Sequence, residues 1–137
     1  MEQHDLSING VNLHTRISGD PDAPPLLLLH GWPDSGRCWA KVVPLLADRY
    51  RVIVPDMRGF GASDAPPDLE AYRMQVLLGD VTGLIEWAEA TRDAGSVMSY
   101  FLVHGEEESA TSLANVLAAR GTARVIVPDR GTAVQLD

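Results

Sequence analysis

A chain of 137 residues with 45% hydrophobic and 22% charged residues is expected to fold as one compact domain, residues 1–137, burying roughly two-thirds of its unfolded surface. Its net charge of −8, with one lysine and ten scattered arginines, offers no basic stripe for a phosphate backbone, so nucleic acid is not expected as a partner. No apolar run approaches the roughly 20 residues that cross a bilayer, and MEQHDLSING lacks the basic and apolar regions of a leader, so the expectation is a cytoplasmic protein without a membrane partner.

The first predicted element is a hairpin. "DLSINGVNLHTRISGD" alternates apolar and polar residues around Asn9-Gly10, a dipeptide suited to the type I′ turn. His4 and His14, in this segment, are expected to face solvent. After the turn "PDAPP", the run Leu26 to Leu29 is too short for a helix and suits a strand buried on both faces. "GRCWAKVVPLLADRY" carries a helical apolar stripe in which Pro44 predicts a kink or a late-starting first turn. Cys38 has no second cysteine to pair with; it is expected to fill apolar space, buried or half-buried.

Strand "RVIVPD" follows, then the glycine-rich loop "MRGFGASDAPPDL" and a helix from about Tyr72 to Ala90. Beyond a junction at residues 91–98 the pattern restarts: "YFLVHG" as a strand, "EEESATSLANVLAARG" as a helix and "ARVIVPD" as a strand. This second unit repeats the first. LLLLHG at 26–31 is echoed by YFLVHG at 100–105, and RVIVPD occurs identically at 51–56 and 124–129. Strands alternating with helices predict an α/β fold of three layers, with strands 26–30, 51–55, 99–103 and 124–128 in one mostly parallel sheet and the hairpin as its antiparallel start. Both His-Gly turns would then lie at the carboxyl edge, where such sheets keep their ligand sites.

Residues 1 to about 90 resemble the N-terminal part of the α/β-hydrolase superfamily, in particular its epoxide hydrolases and haloalkane dehalogenases. The hairpin at Asn9-Gly10, HGWP at 30–33 and DMRGFGASD at 56–64 carry the resemblance in the right order and spacing. It implies an oxyanion-hole loop of His30, Gly31, Trp32 and Pro33, in which the Trp32 backbone N–H is one donor and Pro33 stiffens the turn. His30 itself is expected to hydrogen-bond backbone beneath the loop. Asp56 and Arg58 are expected to fix their loop as an ion pair. Ser63 sits too far from the strand end for a nucleophile elbow and reads as a turn residue. Gly59-x-Gly61 lacks the third glycine of a dinucleotide fingerprint. No cofactor is expected, and a small apolar molecule is the foreseen partner.

Residues 99–137 resemble the C-terminal segment of the β-CASP group of metallo-β-lactamase-fold RNA-processing hydrolases, through "YFLVHGEEESATSLANVL" and "VIVPDRGTAVQLD". That resemblance implies a metal-ligating role for His104, yet the cluster His-x-His-x-Asp-His that completes the family's metal site is absent from this sequence.

Three functional readings compete. In the first, the chain is a truncated or fused hydrolase scaffold without a nucleophile elbow or catalytic histidine. In the second, Glu106 acts as a nucleophile with His30 or His104 as base, against the plainer reading of Glu106 to Glu108 as the first turn of a helix. The third is a metal- or partner-binding module where His30, Asp56, His104 and Glu106 converge; His30 and His104 are its candidate ligands, although the metal site is expected to be weak or absent.

Overall fold

A computed structural model describes residues 1–91, 99–101, 111, 114–116, 118–119, 124–126 and 133. By its internal contacts the chain divides into two compact units, Met1–Ser96 and Val97–Asp137.

In the first unit, β1 (Glu2–Ile8) and β2 (Val11–Ser18) form the expected antiparallel hairpin, with Ile8 opposite Val11. Asn9 and Gly10 both take positive φ, 49° and 78°, as the type I′ turn requires. Along β2 the residues Val11, Leu13, Thr15 and Ile17 are buried and alternate with more accessible neighbours, so one face of the ribbon enters the core and the other carries His14 and Arg16.

After β2 the chain crosses to β3 (Pro25–Leu27), which pairs parallel to β4 (Arg51–Pro55), while β4 pairs antiparallel to β2. The spatial order is β1-β2-β4-β3. This sheet is small and mixed, which corrects the expectation of a three-layer, mostly parallel one. β2 runs against both its neighbours, so two of the three ladders are antiparallel. As a central strand, β4 buries Val52, Ile53 and Val54 in succession. β3 lies at the end of the order, and Leu26 to Leu29 are only half-buried. Burial on both faces, expected for this run, therefore belongs to β4 instead.

The helical stripe after β3 resolves into a 3₁₀ turn at Gly36–Trp39 and a single-turn α1 (Val43–Leu46) with Pro44 in its first turn, where a missing N–H has no partner to lose. Cys38, in the 3₁₀ turn, is exposed, contrary to the expectation of an apolar filler. A second 3₁₀ turn, Leu69–Tyr72, leads into α2 (Met74–Ala90). Asp80, Val81, Leu84, Ile85 and Ala88 are its buried residues, a stripe at helical spacing. Leu84 joins Leu6, Ile8, Val11 and Leu13 in the core cluster, with Leu27, Leu29, Met57 and Trp87 packed around it.

In the second unit, β5 (Ser99–Phe101) pairs parallel to β6 (Arg124–Ile126) as a two-stranded sheet of its own. Among the described residues β3 thus pairs with β4 and β5 with β6. Residues 111, 114–116 and 118–119 are helical, within the stretch expected as a helix. No helix among the described residues is long and apolar enough to cross a membrane.

Candidate active-site loop

The segment His30 to Pro33 leaves the end of β3, whose pairing with β4 extends one residue further through Leu28 N–H donating to Ile53 O at 2.9 Å. The His30 ring lies under the next loop: its Nε2 accepts from the Met57 N–H at 2.8 Å, and its Nδ1 sits 3.1 Å from Gly31 O. An acceptor Nε2 leaves the proton on Nδ1, so the neutral ring ties two loops together as donor and acceptor at once. Phe60 meets it edge-on, with ring centroids 5.4 Å apart. His30 therefore hydrogen-bonds backbone as expected, and both its nitrogens are occupied. That geometry leaves no lone pair for a metal ion or a catalytic proton.

Trp32 projects its side chain outward, 84% exposed, and its peptide bond to Pro33 is cis. Its backbone N–H makes no hydrogen bond among the described residues. The loop is closed behind it by Asp34 N–H donating to Gly31 O at 3.0 Å, by Ser35 N–H donating to Asp34 Oδ1 at 2.8 Å, and by the Ser35 hydroxyl capping the 3₁₀ turn. Trp39 returns to the strand, its indole N–H donating to Leu29 O at 3.2 Å.

Asp56, at the end of β4, is fully buried. Its Oδ1 accepts from Arg16 Nη1 at 2.9 Å and from the Gly36 N–H at 2.8 Å, and its Oδ2 accepts from the Ala62 N–H at 3.0 Å and Arg16 Nη2 at 3.3 Å. One carboxylate thus holds the loop after β3, the loop after β4 and a side chain of β2. Burial alone would raise its pKa, but the Arg16 guanidinium and the two backbone N–H groups outweigh it and hold the carboxyl at about 2. Gly61, at φ 55°, is the residue that lets the loop fold over this carboxylate, because a Cβ there would collide with Asp56 Oδ2.

Arg58 is paired elsewhere. Its Nε and Nη2 grip both oxygens of Asp80 on α2, at 2.8 and 2.7 Å, in a buried bidentate pair. Hydrogen bonding to Asp80 raises the guanidinium pKa. The ion pair expected between Asp56 and Arg58 is therefore replaced by two separate ones, Asp56 with Arg16 and Arg58 with Asp80. Charge at two neighbouring loop positions was legible in the sequence; partners 40 and 22 residues away were not.

Ser63 is the turn residue its position suggested. Its hydroxyl accepts from the His14 N–H at 2.8 Å and donates to Asp56 O, while Asp64 Oδ2 accepts from the Asn12 N–H at 2.8 Å. The two residues latch the glycine-rich loop onto β2. His14 is less exposed than expected: its side chain is 16% accessible and its Nδ1 lies 2.9 Å from Asp5. His4 is the more accessible of the two, at 43%. His104 and Glu106 lie outside the described residues, so the convergence of His30, Asp56, His104 and Glu106 is not described. Among the described residues no group of three or more His, Cys, Asp or Glu side chains is placed to hold a metal ion.

Comparison with known proteins bears directly on this strand-loop arrangement. A family model described as the alpha/beta hydrolase fold matches residues 24–95, more than half of the chain and the whole of the braced loop region. The chain belongs to the alpha/beta hydrolase fold family. Within it, epoxide hydrolase A of Mycobacterium tuberculosis is 36% identical over 122 residues, covering 82% of this chain and 38% of the relative. An epoxide hydrolase of Caballeronia sordidicola is 35% identical over 135 residues, covering 98% of this chain and 36% of the relative. Among solved structures, an alpha/beta hydrolase described as a novel epoxide hydrolase from metagenomes of hot environments matches with a TM-score of 0.68 and 31% identity, covering 91% of this chain and 40% of the other. The chain spans less than two-fifths of the length of the two curated epoxide hydrolases. It is related to epoxide hydrolases of the alpha/beta hydrolase family, and the alignment with the Caballeronia protein runs through the tail as well as the front.

Proposed function

We propose that this chain supplies the front portion of an epoxide-hydrolase-type active site, a braced loop offering the Trp32 backbone N–H to a developing oxyanion, and that these 137 residues alone do not complete the chemistry. The observation that supports it most is the Trp32 N–H itself: a donor at the carboxyl edge of β3 without a hydrogen-bond partner among the described residues, in a loop held from beneath by His30 and from behind by Asp56. Donors fixed before the reaction stabilise developing charge without reorganising, which is what an oxyanion hole requires. A small apolar epoxide is the foreseen substrate class.

Turnover in such a site needs a nucleophile on a strand-turn-helix elbow, a histidine to activate water and an acid to orient it. The sequence has no Gly-x-Asp-x-Gly or Gly-x-Ser-x-Gly after β4, and its last histidine is His104. The β-CASP-like reading of residues 99–137, and with it a fusion of two hydrolase segments near residues 91–98, rests on sequence resemblance alone.

The purified chain, incubated with an aryl epoxide and an aryl ester, is expected to speed hydrolysis by less than about tenfold over buffer. Steady turnover abolished by Glu106→Gln would overturn the proposal and establish Glu106 as a working nucleophile.

A further inference from the structure

The hairpin turn at Asn9-Gly10 is joined to α2 by polar contacts that the loop chemistry does not use. Asn9 Nδ2 donates to Val76 O at 3.0 Å and to Asp80 Oδ1 at 2.9 Å. Arg58 Nη2, already bound to Asp80, donates to Asn9 O at 3.0 Å. The helix admits this approach because Gly79 has no side chain: a Cβ there would lie 2.7 Å from Asn9 Nδ2. Asn9, Arg58 and Asp80 therefore form a clasp with a buried ion pair on one side and an exposed amide on the other.

We propose that Asn9-Gly10 is a latent deamidation site, kept intact by this clasp and unable to re-form the clasp once converted. Asparagine followed by glycine is the dipeptide in which the next backbone nitrogen most readily reaches the side-chain carbonyl, because Gly10 carries no Cβ to obstruct the approach. The Gly10 nitrogen attacks Asn9 Cγ; the N–Cγ bond forms, the Cγ–Nδ2 bond breaks, and Nδ2 departs as ammonia with the proton lost from Gly10. Water then opens the cyclic imide at one of its two carbonyls, leaving aspartate or isoaspartate.

In the folded chain the two bonds from Nδ2 hold the amide toward α2, so the reaction waits on local opening. After conversion to aspartate the donor to Asp80 becomes a second carboxylate at the same place, and like charges at that separation repel. Isoaspartate lengthens the backbone within a two-residue turn and disturbs the register of Ile8 opposite Val11.

The test follows the full chain at mildly alkaline pH, with and without urea, by mass spectrometry of the tryptic peptide ending at Arg16. That peptide also contains Asn12, whose larger follower, Leu13, makes it an internal reference. Asn9 is expected to convert well ahead of Asn12 in the unfolded chain and at least about tenfold more slowly in the folded one. Equal rates in the two states overturn the proposal. In urea titrations, Asn9→Asp is expected to lower the folding equilibrium constant by at least about tenfold more than Asn9→Gly, which keeps the positive φ, loses the same hydrogen bonds and adds no charge. An Asn9→Asp chain as stable as Asn9→Gly likewise overturns it.

Discussion

Replacing Asp56 by asparagine keeps the size of the side chain and removes the charge on which Arg16, Gly36 and Ala62 converge. The folded carboxyl is held at about 2 against an ordinary value of 3.8, a gap corresponding to roughly 2 kcal/mol in favour of the ionised folded protein. Between these two values the unfolded chain binds more protons than the folded one, so stability rises with pH there. The contribution is complete above the ordinary carboxyl value, declines as the pH falls and is lost on passing through about 2. Because Asp56→Asn resembles the protonated protein at every pH, it is expected to be less stable than the parent by roughly 2 kcal/mol near neutrality, with the difference shrinking toward zero in strong acid. Urea unfolding of both chains, followed by circular dichroism at a series of pH values from neutral to about 2, measures that difference directly and cancels the other carboxyl groups. A difference that stays constant across the series would refute the reasoning, since it would mean that the Asp56 charge is not what binds the loops.

Two further outcomes follow from the same interior. Asp80→Ala strands the buried Arg58 guanidinium and is expected to destabilise by about 3–5 kcal/mol, whereas Asp80→Leu combined with Arg58→Met should recover much of the loss; thermal unfolding separates the two. Gly61→Ala combines a positive φ with a collision against Asp56 and is expected to remove about 3 kcal/mol or more, so an unchanged urea midpoint would show that the loop can shift away at little cost.

What the sequence made legible was local. Asn9-Gly10 determines its turn through two adjacent backbones, and the alternation along β2 follows from a single buried face. Pro44 marks a helix start through its own missing N–H. The errors arise where a side chain's surroundings are assembled from distant segments. An uninterrupted Leu26–Leu29 run reads as doubly buried, but burial depends on the position of the strand in the sheet, and β4 occupies the middle. Cys38 lies in a stretch of helical periodicity that breaks into two short turns, so the periodic phase does not carry it inward. Asp56 and Arg58 illustrate the same limit at the site: two opposite charges two positions apart suggest each other, yet each found its partner on another element, Arg16 of β2 and Asp80 of α2. Arg16 was detectable as a charge on the solvent-side phase of an otherwise amphipathic strand, and Asp80 as an acid on the apolar stripe of α2.

The clasp between the hairpin and α2 has a kinetic consequence. Asn9 and Asp80 are 71 residues apart, whereas the hairpin closes over two residues and α2 forms from contacts within its own turns. Long loops close late, after local structure has reduced the chain entropy that opposes them. A contact made after the folding barrier contributes little to the rate of arrival and much to the rate of escape. The Arg58–Asp80–Asn9 cluster is therefore expected to act chiefly on the lifetime of the native state.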